Sequence, residues 1–460
     1  MASAAGVVWT FAPGPGSLTF SDPRQSPQGN TSSLFTGRFQ IGQRRPQTVN
    51  VAIDFGSSVS WLPSSQAQCA VNSQSDDQLI SQINGQTHPQ QPQWGSCDAT
   101  TVFDSQKSSS FKDNGTDFAV TYTSATTGTQ SVTGRYGIDT WSLNTNDNNN
   151  ISISSFVFGV ANRSEVDQGR LGLGLSSAPE TQANTPSFLA RMKQSGTIKR
   201  QLYSVFRSQI DTEVRSILFG AVDTKKFQGN LTTLPMIMTD TSATFGSPTQ
   251  FQVTLTRLDI TTLKKDPYPA SSHNYPAIFD SGQRYTWLPR SLHNSLLEVI
   301  NLKNRTELTV PCEVDGTIRI KFTFGGGAEL DMPLNDLIQP STTSSSECQL
   351  AILPHDDPSI ILGDNVLRHA FVVYDHEKFE ISVAPIMYTP ETNVVEVDDH
   401  SSRLPGALIA SDYAAVGQIY TVSSSASEAK PPRTIGNLMN GASVRSAGWV
   451  ASLAAVMMMI

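Results

Sequence analysis

Short runs in which apolar and polar residues alternate dominate the chain, and they predict β-strands far more often than helices. Residues 34–41 and 49–55 alternate in this way around the polar turn Gly42-Gln43-Arg44-Arg45-Pro46-Gln47, which predicts a hairpin. Its second strand runs out into Asp54-Phe55-Gly56-Ser57-Ser58. Strand-like runs follow at 118–122, 133–143 and 153–160. Thr185-Pro186 then predicts a helix over 187–194, with the threonine as cap and the proline in the first turn. Near residue 201 the plan begins again. Residues 202–206, 217–219 and 251–260 read as strands, Ala277-Ile278-Phe279 runs into Asp280-Ser281-Gly282, and an amphipathic helix is predicted over 290–301. Each half thus contains an apolar strand ending in Asp-x-Gly, the mark of an internal repeat.

The flanks lack this periodicity. Residues 1–32 are rich in Pro, Gly and Ser and predict an extended or disordered lead-in. Residues 391–446 are polar and small and predict a stalk without a core, while 447–460 are almost purely apolar yet shorter than the ~20 residues of a spanning helix. Between them, 33–200 and 201–390 form two lobes, which 460 residues can supply with separate cores. The expected class is mainly β and bilobal.

Composition narrows the function. A net charge of −8, with no concentration of Lys and Arg, excludes a nucleic-acid partner. Cys69, Cys97, Cys312 and Cys348 fall as two local couples, spaced too widely for a shared metal. They predict the disulfides Cys69–Cys97 and Cys312–Cys348 and an oxidising compartment. Sequons at Asn30, Asn114, Asn150, Asn162, Asn230 and Asn304 point the same way. No secretory signal is visible in MASAAGVVWTFAPGPG. At the other end, the small residues Asn440-Gly441-Ala442-Ser443 before the apolar tail resemble a GPI-attachment signal and predict a lipid-anchored protein outside the cell. Attachment at 423–426, a plain hydrophobic anchor and an apolar end without a role stay open beside it.

A single Asp-x-Gly is usually a turn. Two copies, each followed by Trp-Leu-Pro seven positions after the aspartate, indicate a duplicated unit: Asp54 leads to Trp61-Leu62-Pro63 and Asp280 to Trp287-Leu288-Pro289. Such a pair suits amide hydrolysis at acidic pH, which needs one carboxylate to take a proton from water and one carboxylic acid to polarise the carbonyl. Like charges about 3 Å apart do not both ionise readily, so the pair shares a proton. Gly56 and Gly282 let the two loops approach closely. A serine nucleophile is excluded by the lack of a Gly-x-Ser-x-Gly context, and a metallopeptidase by seven scattered histidines with no His-x-x-x-His couple.

These motifs resemble those of the pepsin-like aspartic peptidases over about residues 33–386, and together with the tail they are similar to the fungal yapsin-like, GPI-anchored type. The matching stretches are 51–63, Gly169-Arg170-Leu171-Gly172-Leu173-Gly174, 217–220, 277–282 and 360–364, followed by 371–385. The resemblance implies two β-barrel-like lobes with an interlobe cleft, peptide or protein substrates, a monomer, and no metal or cofactor. It implies that Asp54 and Asp280 are catalytic, that Gly56, Ser57, Ser281 and Gly282 support their loops, and that an apolar-apolar-Gly segment threads beside each. Ile361-Leu362-Gly363 fits that role in the second lobe. Tyr122 matches the tyrosine of the substrate-covering hairpin, or flap, and Trp61 its neighbour, although both aromatics also suit core packing. Four positions depart from the pattern. Phe55 lacks the hydroxyl expected after the first aspartate, Gln283 and Arg284 stand where the second loop carries Thr or Ser, and Arg170 replaces an apolar residue. Phe55 and Gln283 leave a second reading open, a hydrolytically impaired binding module for a peptide, an inhibitor or a wall polymer.

Overall fold

The computed structural model describes residues 7–11, 36–70, 93–124, 128–144, 150–166, 168–175, 186–207, 215–238, 246–262, 265–280, 283, 285–302, 308–312, 314–340 and 348–418. Alternation of apolar and polar residues places one face of each strand inward. Arg319–Phe324, for example, buries Ile320, Phe322 and Phe324 and turns the residues between them toward solvent.

Among the described residues, three large sheets carry the architecture. In the first lobe the order is Thr36–Ile41, Gln47–Asp54, Arg170–Gly172, Trp61–Ala70, Asn150–Ser164, Gly128–Asn144 and Lys112–Ser124. Thr36–Ile41 also pairs with Gly128–Asn144, so the sheet curls on itself like a barrel. The second lobe repeats the theme with Gln252–Thr262, Tyr275–Phe279, Ile360–Leu362 and Thr286–Pro289 side by side and Ile352–His355 at the edge beyond them. A third sheet lies between them, built from Leu202–Arg207, Arg215–Phe219, Ala370–Asp375, Glu380–Pro385 and their neighbours. Its Tyr203 touches Phe55 of the first lobe, with ring centroids 5.7 Å apart, and Phe251 of the second at 6.4 Å.

Two expectations, for a helix near 187 and for residues 391–418, are revised, and the extended lead-in gains a partner. The helix near 187 spans Phe188–Gln194 with Ser187 as its cap, the hydroxyl accepting from Ala190 N at 3.3 Å. Pro186 thus precedes the cap, and Thr185 lies outside the described residues. The lead-in contains a strand, Val7–Phe11, paired antiparallel with Arg215–Phe219. Residues 391–418, assigned to a stalk without a core, are packed onto the body. Val394–Glu396 pairs with Ala221–Asp223, Ala407–Ile409 lies parallel to Leu231–Pro235, and Val397 is fully buried. Their apolar side chains are spaced too irregularly for periodicity to reveal, yet Val397, Leu404, Ala410 and Val416 are buried against the body.

Both disulfides are present, Cys69–Cys97 with Cα atoms 5.0 Å apart and Cys312–Cys348 at 4.8 Å. Each closes a loop beside a strand edge, Cys69 on Trp61–Ala70 and Cys348 on Cys348–Leu350.

Candidate active site

The two Asp-x-Gly loops sit at the ends of equivalent strands. Gln47–Asp54 runs parallel to Arg170–Gly172, with Asp54 opposite Gly172, and Trp61 pairs with Arg170 from the other side. In the second lobe Tyr275–Phe279 runs parallel to Ile360–Leu362, and Trp287 pairs with Ile361. A short strand is thus threaded through each lobe between the aspartate strand and the Trp-Leu-Pro strand. Backbone bonds lock the loops to it: Leu173 N donates to Asp54 O at 2.7 Å, and Asp280 N to Leu362 O at 3.1 Å.

The threading explains two glycines. A Cβ at Gly172 would lie 2.4 Å from Ser58 C, and one at Gly363 would lie 2.1 Å from Tyr285 O. No side chain fits there. It also reveals a hydroxyl pair that the sequence reading missed. Ser60 Oγ accepts from Gly172 N, and Thr286 Oγ1 accepts from Gly363 N, each at 3.1 Å. Both residues stand immediately before Trp-Leu-Pro, and that shared position was the available signal.

Asp54 is 6% exposed and accepts from Gly56 N through Oδ1 at 2.9 Å. A Cβ built on Gly56 would lie 3.4 Å from Asp54 Oδ1 and 3.6 Å from Asp280 Oδ2. The two carboxylates, far apart in the chain, therefore both border the space above Gly56. Ser57 turns its hydroxyl to accept from Val59 N at 3.1 Å, which fixes the first loop from within. Ser281, Gly282 and Arg284 lie outside the described residues. Gln283 serves through its backbone, donating to Asp280 O at 3.1 Å and accepting from Asp364 N at 2.7 Å.

Tyr122 lies on the hairpin formed by Lys112–Ser124 and Gly128–Asn144, opposite Gln130. Trp61 Nε1 donates to its hydroxyl at 2.8 Å. Trp61 itself is fully buried in a cluster with Phe118, Val132 and Tyr136, so it is at once a core residue and the partner of Tyr122. Arg170, paired with Ala52 two positions before Asp54, brings Nη1 to 3.4 Å from Asp54 Oδ2 and its guanidinium carbon to 4.6 Å from the centre of the Tyr122 ring. Paired carboxylates in a sheltered cleft under an aromatic hairpin can activate water against an extended polypeptide.

The model of one protein family, the eukaryotic aspartyl proteases, matches residues 34–386. The chain belongs to this family. Among similar proteins, the aspartic proteinase yapsin-3 of Saccharomyces cerevisiae is 32% identical, over 84% of this chain and 72% of its own length. Aspartic proteinase 3 of the same yeast is 28% identical over 86% of this chain and 79% of its own. Secreted aspartic protease 10 of Candida albicans is 26% identical over 96% and 91%. These relatives do not favour the impaired binding module.

Within this aspartyl protease, Phe55 takes the place of a hydroxyl residue, and its ring is built into the floor of the first loop. It stacks on Tyr374 at 5.8 Å and 17°, and Tyr374 stacks on Tyr203 at 5.0 Å. Tyr203 Oη in turn donates to Leu173 O at 3.0 Å, next to the bond that holds Asp54. Apolar stacking thus occupies the position from which a hydroxyl would brace the loop.

His376 borders the same aromatic group, 5.7 Å from Tyr203 and 5.2 Å from Phe251. Burial lowers its pKa to about 3, and burial likewise lowers that of His293 to about 4. A histidine whose folded pKa is depressed favours the folded state least at low pH, because the unfolded chain takes up the proton first. Stability is therefore lost as pH falls below the ordinary histidine value of 6.5 toward about 3. Burial raises the pKa of Asp375 and Glu380, and their sign is opposite: protonation comes first in the folded state, so stability rises as pH falls through their folded values. We expect His376→Phe to lessen the loss of unfolding free energy between neutral pH and pH ~4 by on the order of 3 kcal/mol, since each pH unit carries about 1.4 kcal/mol. Urea midpoints across that range measure it, and an unchanged pH slope would contradict the assignment.

Proposed function

We propose that this chain hydrolyses peptide bonds at acidic pH with a water held between Asp54 and Asp280, one carboxyl protonated and the other not. As an aspartic endopeptidase it acts on peptide or protein substrates, and it is extracellular or at the cell surface. The observation that carries the catalytic assignment is the approach of both carboxylates to the space above Gly56. The ionised carboxylate takes a proton from the water as it attacks the scissile carbonyl, and the protonated one donates to the developing oxyanion. Collapse of the tetrahedral intermediate returns a proton to the departing amine, and no covalent enzyme intermediate forms. Substrate lies extended beneath the Tyr122 hairpin, held by main-chain hydrogen bonds as an added strand.

The fold supports a monomer, with both carboxylates supplied by one chain. The small residues around Asn440 and the apolar end at 447–460, outside the described residues, support a GPI-anchored form. The enzymatic reading is tested by incubating the purified protein with denatured globin at pH ~3–6, with and without pepstatin. Pepstatin-sensitive cleavage, strongest in the acidic part of the range, is expected. Cleavage that pepstatin leaves untouched would contradict it.

A further inference from the structure

Arg170 reaches Asp54 from a strand held by pairing on both sides. Its backbone is paired with Ala52 on one side and Trp61 on the other. From there the guanidinium bridges two groups that the fold brings from distant parts of the chain. Nη1 is 3.4 Å from Asp54 Oδ2, and the guanidinium carbon is 4.6 Å from the Tyr122 ring centre. The side chain is 26% exposed, so both attractions act where solvent screens them only in part. Tyr122 is thereby held twice, at its hydroxyl by Trp61 Nε1 and on its face by Arg170.

We propose that Arg170 is a positioning residue that ties the flap tyrosine to the first catalytic aspartate and presets the closed position of the flap. The proposal rests on the roles given above to Asp54 and Tyr122. An apolar side chain of similar length would fill the same volume, but it would attract neither the carboxylate nor the negative face of the ring. A planar cation does both at once. Holding the flap in place before substrate arrives removes part of the ordering cost of binding, so the tie acts mainly on affinity.

Arg170→Met is expected to raise KM for a peptide substrate about tenfold, with a smaller change in kcat, and to weaken pepstatin by a similar factor. Arg170→Lys, which restores a cation near the ring, recovers most of the loss. Arg170→Met and Tyr122→Ala combined are expected to be no worse than the more damaging single change, because both cut one tie. A purely packing role would leave Met close to wild type and give Lys no advantage. The proposal is overturned if Arg170→Met keeps KM and pepstatin affinity within twofold of wild type, or if its effect adds fully to that of Tyr122→Ala. An inactive Asp280→Asn in the same assay keeps the dyad reading standing whichever way Arg170→Met turns out, so failure of the tie is told apart from failure of the dyad, and an active Asp280→Asn would remove both.

Discussion

Asp280→Asn lowers kcat for peptide hydrolysis by about 10⁴-fold, the upper part of the range for loss of a general acid or base. Asn has the size and shape of the carboxyl it replaces, but it can neither take a proton from water nor give one to the carbonyl oxygen. Asp280 N still donates to Leu362 O, so the loop keeps its place and the thermal midpoint stays near that of wild type. Asp54→Asn has the same consequence for chemistry. It also discharges the pair with Arg170 at 3.4 Å, while an Asn carbonyl can still accept from Gly56 N. Retention of a tenth or more of the activity in either variant would remove that residue from the chemistry.

Phe55→Ala is expected to cost about 3–5 kcal/mol in stability, the usual range for emptying a buried phenylalanine site. Phe55 is 3% exposed and stacked on Tyr374 and Tyr203, so its loss opens a cavity directly beneath the loop that carries Asp54. A shift of about 1 Å in a catalytic group can cost on the order of 10²-fold in rate, and kcat is expected to fall by that order. Phe55→Thr, which restores the hydroxyl of the family pattern, is also expected to be less stable than wild type. A hydroxyl adds only about 0.5–1.5 kcal/mol through one hydrogen bond and does not refill the stack. A threonine variant as stable as wild type in urea would show that the aromatic floor is not what holds this loop.

The features legible in the sequence were those written twice. Asp54 and Asp280 stand at the same distance before Trp-Leu-Pro, and each follows a strand that alternation makes visible. The bilobal plan and the two disulfides were legible for the same reason, as local couples within each half. The Arg170 contacts were not. Arg170 meets Tyr122 only because the Tyr122 hairpin folds back over a threaded strand, and no local pattern encodes that pairing. Ser60 and Thr286 were missed because a hydroxyl before Trp has no meaning until the threaded glycine beside it is seen. Residues 391–418 were misread because composition reports the average character of a segment. Val397, Leu404 and Val416 are buried one by one on sheets that other residues build.

Phe55 shows how a departure from a family pattern is absorbed. The hydroxyl is missing, yet the ring joins the first lobe to the central sheet through Tyr203 and Tyr374. The loop is then held by apolar contact from below and by Leu173 N from the side.

The central claim is that Asp54 and Asp280 act together on one oxygen. A crystal structure of the protein with pepstatin, whose statine hydroxyl occupies the place of the attacking water, tests it most directly. The account predicts that hydroxyl within about 3 Å of carboxylate oxygens from both residues, beneath the Tyr122 ring. A hydroxyl bound by only one of them, or an inhibitor seated elsewhere, would contradict it.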